Sequence, residues 1–193
     1  MVQSRIAVVF PGIGYHSDKP LLYYTKKLAR EQGFEVIEIT YEFPFRARDI
    51  KGDRDKMKEA FDLAVKQTGE QLDGVDLAGC GQLLFIGKSI GTAVAACYDE
   101  KHCVGASHLI LTPVPETFDF LRKGCGIVFH GNADPWCDTA VVEKRCRELE
   151  LPLTVIEGAN HSLETKSAVT DARNMADLLV KTESFIQSFP RFR

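Results

Sequence analysis

Short apolar runs alternate along the chain with longer stretches in which apolar residues recur every three or four positions. Runs of the first kind fit strands, and stretches of the second kind fit amphipathic helices. Residues 5–10 make a first strand, followed by the loop Pro11-Gly12-Ile13-Gly14-Tyr15-His16. Residues 20–32 make a helix closed by Gly33, which can take the left-handed conformation that ends helices. A second strand is expected over 34–41, then a charged, proline-containing loop over 42–52, then a helix from Asp53 to about Leu72. In that helix Met57, Ala60, Phe61, Ala64 and Val65 share one face. Further strands are expected over 82–86, 108–112, 126–130 and 153–156. A helix of small residues starts near Thr92. A short one is expected near 117–122, after the break at Pro113-Val114-Pro115. Another is capped by Asp138 and would bury Val141, Val142, Cys146 and Leu149. A long helix over about 166–189 completes the pattern.

Strands that alternate with helices imply a parallel sheet covered on both faces. The expected architecture is therefore α/β: one domain over 1–193, with a mostly parallel sheet of about six strands. Right-handed crossovers and an early reversal of strand order would open a crevice at the carboxyl ends of the strands. No repeat, low-complexity tract or interdomain linker interrupts the pattern.

Composition narrows the function classes. A chain of 193 residues, 45% of them hydrophobic, can bury one sizeable core. A net charge of -3 and the lack of a Lys/Arg stripe argue against nucleic acid as a partner. No apolar stretch reaches membrane-spanning length, so no membrane partner is expected. Met1-Val2-Gln3-Ser4-Arg5 runs straight into a strand and does not read as a signal peptide. Cys80, Cys97, Cys103, Cys125, Cys137 and Cys146 are scattered and form no C-x-x-C pair. They read as free thiols in a reducing compartment, which makes a cytoplasmic location the expectation. The histidines lack ligand spacing, so neither a metal nor another cofactor is expected.

The candidate chemistry centres on Gly87-Lys88-Ser89-Ile90-Gly91, a G-x-S-x-G sequence between the apolar run Gln82-Leu83-Leu84-Phe85-Ile86 and the small-residue helix. Strand, sharp turn and helix make the context of a nucleophile elbow, which lifts a serine hydroxyl above the sheet. A serine hydroxyl needs a general base, and the base needs an orienting acid. On this topology both partners follow the serine, acid before histidine, each just past a strand. Asp134 lies in His130-Gly131-Asn132-Ala133-Asp134-Pro135, and His161 lies in Glu157-Gly158-Ala159-Asn160-His161-Ser162-Leu163.

These positions make the chain resemble the α/β-hydrolase superfamily, in particular its small lidless members of the dienelactone-hydrolase-like kind. The turn from Gly131 to Asp134 is similar to the family's acid loop, and Asn160-His161-Ser162 to its histidine loop. Pro11-Gly12-Ile13-Gly14 is similar to its His-Gly oxyanion loop, with Pro11 where histidine often stands. The resemblance implies an oxyanion hole of two backbone amides, those of Ile90 and Ile13. Pro11 cannot donate, which favours the residues after it. The interval from Ser89 to Asp134 has room for a helix, a strand and a short excursion, so no cap domain is expected. The site should be open and shallow, with a preference for short acyl groups.

Other residues carry a bland reading beside a functional one. Tyr15 and Trp136 could wall the acyl group or simply cover the core, and His16 could line the pocket or sit solvated in its loop. Asp138 could act as the acid, although its helix-cap position already accounts for it. His102, His108 and His130 read as structural, Cys137 as a packed thiol, and Lys88 as a variable elbow residue. Arg46, Arg48, Lys51, Arg54 and Lys56 are mixed with acids and read as a solvated face, unless their loop folds toward the crevice. The sequence thus points to a cofactor-independent serine hydrolase of a small ester or thioester substrate. Acyl transfer by the same residues and a non-catalytic scaffold on the same fold stay open. The acyl chain and the oligomeric state are not legible.

Overall fold

The apolar runs pair into a single parallel sheet, as described by a computed structural model for residues 4–189. Its strands are β1 (Arg5–Phe10), β2 (Glu35–Glu38), β3 (Gln82–Lys88), β4 (Ser107–Leu111), β5 (Gly126–Gly131) and β6 (Leu153–Ile156), in the order β2-β1-β3-β4-β5-β6. Met1-Val2-Gln3, the start of the expected lead-in to β1, lies outside the described residues. The central strands are mostly apolar because both faces are buried. Ala7, Val9, Leu84 and Ile86 face one layer, and Val8, Phe10 and Phe85 face the other.

The helices divide between those layers. Helices α1 (Pro20–Glu31) and α6 (Ala168–Gln187) cover the first, burying Leu21, Leu22, Ala29, Leu178 and Ile186. Helices α3 (Arg54–Gln71), α4 (Ile90–His102) and α5 (Thr139–Glu148) cover the second. The chain leaves β1 over one face through α1 and returns past β1 to β3 over the other face through α3. The carboxyl ends of β1 and β3 are therefore the switch point, where an open α/β sheet leaves a crevice. Among the described residues, no segment stands apart from the sheet and its two helical layers.

Several boundaries differ from the sequence reading. Strand β2 ends at Glu38 rather than at Tyr41. The Ile39 amide still donates to the Val9 carbonyl at 3.0 Å, but the following amides of Thr40 and Glu42 donate to the side chains of Gln71 and Gln67. An edge strand has one neighbour, and here glutamines of α3 replace it. The expected loop over 42–52 contains a helical turn, α2 (Ala47–Ile50), whose Ile50 is buried. The short helix near 117–122 is a 3₁₀ turn over Pro115–Asp119, since Pro115 presets φ for a first turn and has no amide to satisfy. Val141 is 39% exposed, because α5 turns only Val142 and Cys146 fully inward and leaves Leu149 half-buried. Helix α6 starts at Ala168, where Ser167 accepts from the Thr170 amide.

One buried polar cluster ties α4 to β4. Asp99 accepts from the amides of Gly105 and Ala106, from His108 Nε2 at 2.8 Å and from Arg122 at 2.9 Å. Burial opposes its ionisation, but the bonds from His108 and Arg122 outweigh that and hold the carboxyl down at about 2. Burial pushes the His108 imidazole below its usual range, so it donates as a neutral ring.

The tightest packing is between main chains. A methyl group on Gly91 would lie 2.2 Å from the Phe10 carbonyl oxygen and 2.5 Å from that of Pro11, whereas one on Gly69, inside α3, would meet nothing within 4 Å. Gly91→Ala should therefore cost roughly 3 kcal/mol, while Gly69→Ala should stabilise by about 1 kcal/mol. Urea unfolding of the two variants beside the parent checks the opposite signs.

Candidate active site

Ser89 follows the last residue of β3 and precedes the first residue of α4. Its backbone is strained, with φ 57° and ψ -130°, a region that side chains with a Cβ rarely occupy. Three bonds hold it there: the Ser89 amide donates to the Leu111 carbonyl at 3.0 Å, and the Ser89 carbonyl accepts from the Thr92 hydroxyl at 2.6 Å and from the Thr92 amide at 2.9 Å. The flanking glycines have a physical reason. A methyl on Gly87 would come within 2.8 Å of Thr92 Cα, and one on Gly91 would strike the end of β1. Gly12 lies directly over the turn, where a methyl would be 3.1 Å from Ser89 Cβ.

Two further loops meet this turn. Gly131 lets them approach each other, since a methyl there would lie 2.2 Å from the Ala159 carbonyl oxygen. The Asn132 side chain accepts from the Gly158 amide, and the Ala133 amide donates to the Ala159 carbonyl. Asn160 closes the second loop by accepting from the amides of Ser162 and Glu164. In the resulting geometry Asp134 Oδ1 accepts from the Trp136 amide at 2.8 Å, and Asp134 Oδ2 accepts from His161 Nδ1 at 2.7 Å. His161 Nε2 accepts from the Ser89 hydroxyl, also at 2.7 Å. Burial lowers the His161 pKa; the bond to Asp134 opposes this, and the charge of Lys88 adds to it. The ring is a free base near neutral pH. A buried carboxylate, a neutral imidazole and a serine hydroxyl in this order can move a proton from oxygen to nitrogen.

The other candidates separate clearly. Asp138 caps α5 by accepting from the Ala140 amide. His130 bonds the Thr139 hydroxyl through Nε2 at 3.0 Å, and Cys137 is buried with its thiol pushed up to about 12, mainly by burial. His16 is exposed. Trp136 is half-buried beside the imidazole, with its ring 5.6 Å from that of His161. Of the two readings of Tyr15, the structure favours the one in which it covers the core. It is 5% exposed within the core under α1, and its hydroxyl accepts from the Leu21 amide. The reason is the turn that carries it: Gly12 and Tyr15 bond each other's backbone in both directions, which folds the ring inward.

Arg46, Arg48, Lys51, Arg54 and Lys56 are all exposed, as their reading as a solvated face expects, and Lys51 alone of them brings its ammonium to 5.7 Å from the Trp136 ring. Two features escaped the sequence reading. A cavity of about 540 Å³ opens beside Ile90, with Met57, Phe61, Ala93, Val114 and Phe120 as its apolar lining. Phe120, the residue after the 3₁₀ turn, stacks on Phe61 at 5.8 Å in the wall of this cavity. Lys88, expected as a bystander, is buried beneath the Gly12 loop. The apolar spacing of α3 signalled the cavity wall. Nothing near Lys88 in the sequence signals its burial.

No family model matches the chain, and no curated protein sequence matches it. Solved structures do. A serine hydrolase without a lid from Xanthomonas campestris superposes with a TM-score of 0.64 at 15% identity, covering 100% of this chain and 86% of its own. Est1E from Butyrivibrio proteoclasticus gives 0.67 at 10% identity, covering 96% and 88%. Esterase 2 from Thermogutta terrifontis gives 0.57 at 18% identity, covering 99% and 87%. At these identities the likeness establishes the α/β-hydrolase fold.

The strain at Ser89 is measurable. Ser89→Gly and Ser89→Ala both remove the hydroxyl, but only glycine relieves the positive φ. Ser89→Gly should be the more stable of the two by about 1 kcal/mol. Equal urea midpoints would mean that the turn carries no strain.

Proposed function

We propose that this α/β-hydrolase-fold chain is a serine hydrolase that cleaves a small ester or thioester. The reading rests on one observation, the continuous hydrogen-bonded path from Asp134 through His161 to Ser89 at the switch point of the sheet. In the proposed cycle His161 Nε2 takes the hydroxyl proton as Ser89 Oγ attacks the acyl carbon. Asp134 holds the imidazole tautomer and balances the imidazolium that forms. His161 then protonates the leaving group, and water repeats the sequence on the acyl-enzyme.

The negative oxygen needs donors placed before it forms. Ile90 is the first residue of α4, and the first amides of a helix have no partner within it. The paired bonds of the Gly12–Tyr15 turn use the amides of Gly12 and Tyr15 and leave that of Ile13 outside the pair. These are the two donors we assign. No step calls for a metal or another cofactor. All described cysteines are free thiols, which supports a reducing, cytoplasmic setting.

The cavity beside Ile90 indicates the acyl side. Its volume falls in the range of small-molecule sites, about 300–1,000 Å³, and its floor is apolar. Gly52, Asp53, Arg54, Lys58, Glu116 and Asp119 complete its lining. A medium-length acyl or an aryl group fits such a space better than acetyl, contrary to the short-chain preference that an open cleft would give.

Two tests follow. Fluorophosphonate labelling should map to Ser89. Ser89→Ala should fold and lose roughly 10⁴- to 10⁶-fold in turnover of p-nitrophenyl esters, and Asp134→Asn roughly 10⁴-fold. Residual activity within tenfold of the parent would end the assignment. For the cavity, kcat/KM should rise from acetyl to hexanoyl esters. Ala93→Leu, which narrows the space, should depress hexanoyl turnover far more than acetyl turnover; a uniform loss would place the acyl group elsewhere.

A further inference from the structure

Lys88 is 3% exposed, and its ammonium makes no hydrogen bond or ion pair among the described residues. Buried lysines normally have such a partner. Its stem runs beneath the loop after β1, where a methyl on Gly12 would lie 3.3 Å from Lys88 Cδ. The ammonium sits 4.7 Å from the centre of the Tyr15 ring, which the Lys19 ammonium also approaches, at 5.1 Å. Tyr15 in turn is locked to Gly12 by two backbone bonds, 3.1 and 3.3 Å long, and these close the turn that carries Ile13. The charge of Lys88 thus acts on the underside of the loop that supplies an oxyanion donor, from the residue next to the nucleophile.

We infer that Lys88 is a positioning residue. In its charged form it clamps the Gly12–Tyr15 turn over Ser89 through the Tyr15 ring and adds positive potential at the oxyanion, so that its deprotonation slackens the hole. The inference rests on the serine-hydrolase reading above. A cation is attracted to the face of an aromatic ring, and a neutral amine is not. In a site with little water that charge also reaches a nearby oxyanion with little screening.

The surroundings of Lys88 put its titration in the working range. Burial lowers its pKa most. Asp134 on the acid loop and Glu164 after the histidine loop oppose this, and Lys19 ahead of α1 adds to it, leaving a value of about 7. Tyr15 stays neutral throughout, since burial chiefly raises its hydroxyl to about 12. The remaining group facing it is His161, whose pKa the Lys88 charge lowers. Two opposing limbs follow. Reactivity should rise with pH as His161 loses its proton, then fall as Lys88 loses its own.

The rate of Ser89 phosphonylation by a fluorophosphonate probe, followed from pH 5 to 9, reads both limbs without knowledge of the natural substrate. The parent should show the fall above about pH 7. Lys88→Arg, charged at every pH, should abolish that fall and keep the acidic limb in place. Lys88→Met should react about tenfold more slowly near neutrality, show no fall, and have its acidic limb displaced to higher pH. If Lys88→Met does not fold, Lys88→Arg alone decides the question. Normal labelling of the parent with profiles that do not depend on residue 88 would overturn this inference and leave the hydrolase reading standing. No labelling of the parent at any pH would overturn both.

Discussion

The approach of the first turn of α4 to the end of β1 governs the geometry around Ser89. At Gly91 there is no room for even one methyl group between helix and strand. That closeness lets β3 pass into α4 without a connecting loop, so the residue at the junction must absorb the whole change of direction. Ser89 does so at positive φ. The same crowding recurs at Gly87 against Thr92, at Gly12 over Ser89, and at Gly131 against Ala159. The site is built from backbones in contact, and its side chains have little freedom because their supports have almost none.

Charge in this site is managed by burial. Both oxygens of Asp134 accept hydrogen bonds, one from the Trp136 amide and one from His161. His161 is held neutral by the cost of burying an imidazolium, although the neighbouring carboxylate favours the charged form. In the proposed cycle such a base takes a proton only as a negative oxygen develops nearby to offset it. Lys88, next to Ser89 in the chain, is buried without an ion pair among the described residues, although the charges of Asp134 and Glu164 favour its protonated form. The burial of the Asp134, His161 and Lys88 side chains keeps water sparse around them, which magnifies each interaction.

The strand and helix sequence was legible because it depends on local periodicity. Arg5–Phe10 and Leu153–Ile156 are apolar except at Arg5 and Thr154, and their strands have the expected limits. Gly-x-Ser-x-Gly could be placed on a strand-turn-helix for the same reason, and Asp134 and His161 could be placed in the loops after later strands. Expectation and structure part where a partner distant in sequence decides the outcome. Strand β2 stops early because Gln67 and Gln71 take over its amides. The segment over 42–52 gains a helical turn because Ile50 finds the core. Val141 faces solvent because the core is reached only at Val142 and Cys146.

The sequence by itself therefore determined the parallel α/β layering, the place of Ser89 on a strand-turn-helix and that of Asp134 and His161 in the loops after later strands. These follow from hydrophobic period, glycine placement and chain topology, all read along the chain. Only the tertiary structure decided that Tyr15 turns inward, that Phe61 and Phe120 wall a cavity beside Ile90, and that Lys88 is buried without an ion pair among the described residues. Each of these is a property of the space between segments far apart in sequence. The free energy of a side chain there depends on what surrounds it in three dimensions, and no local pattern records that.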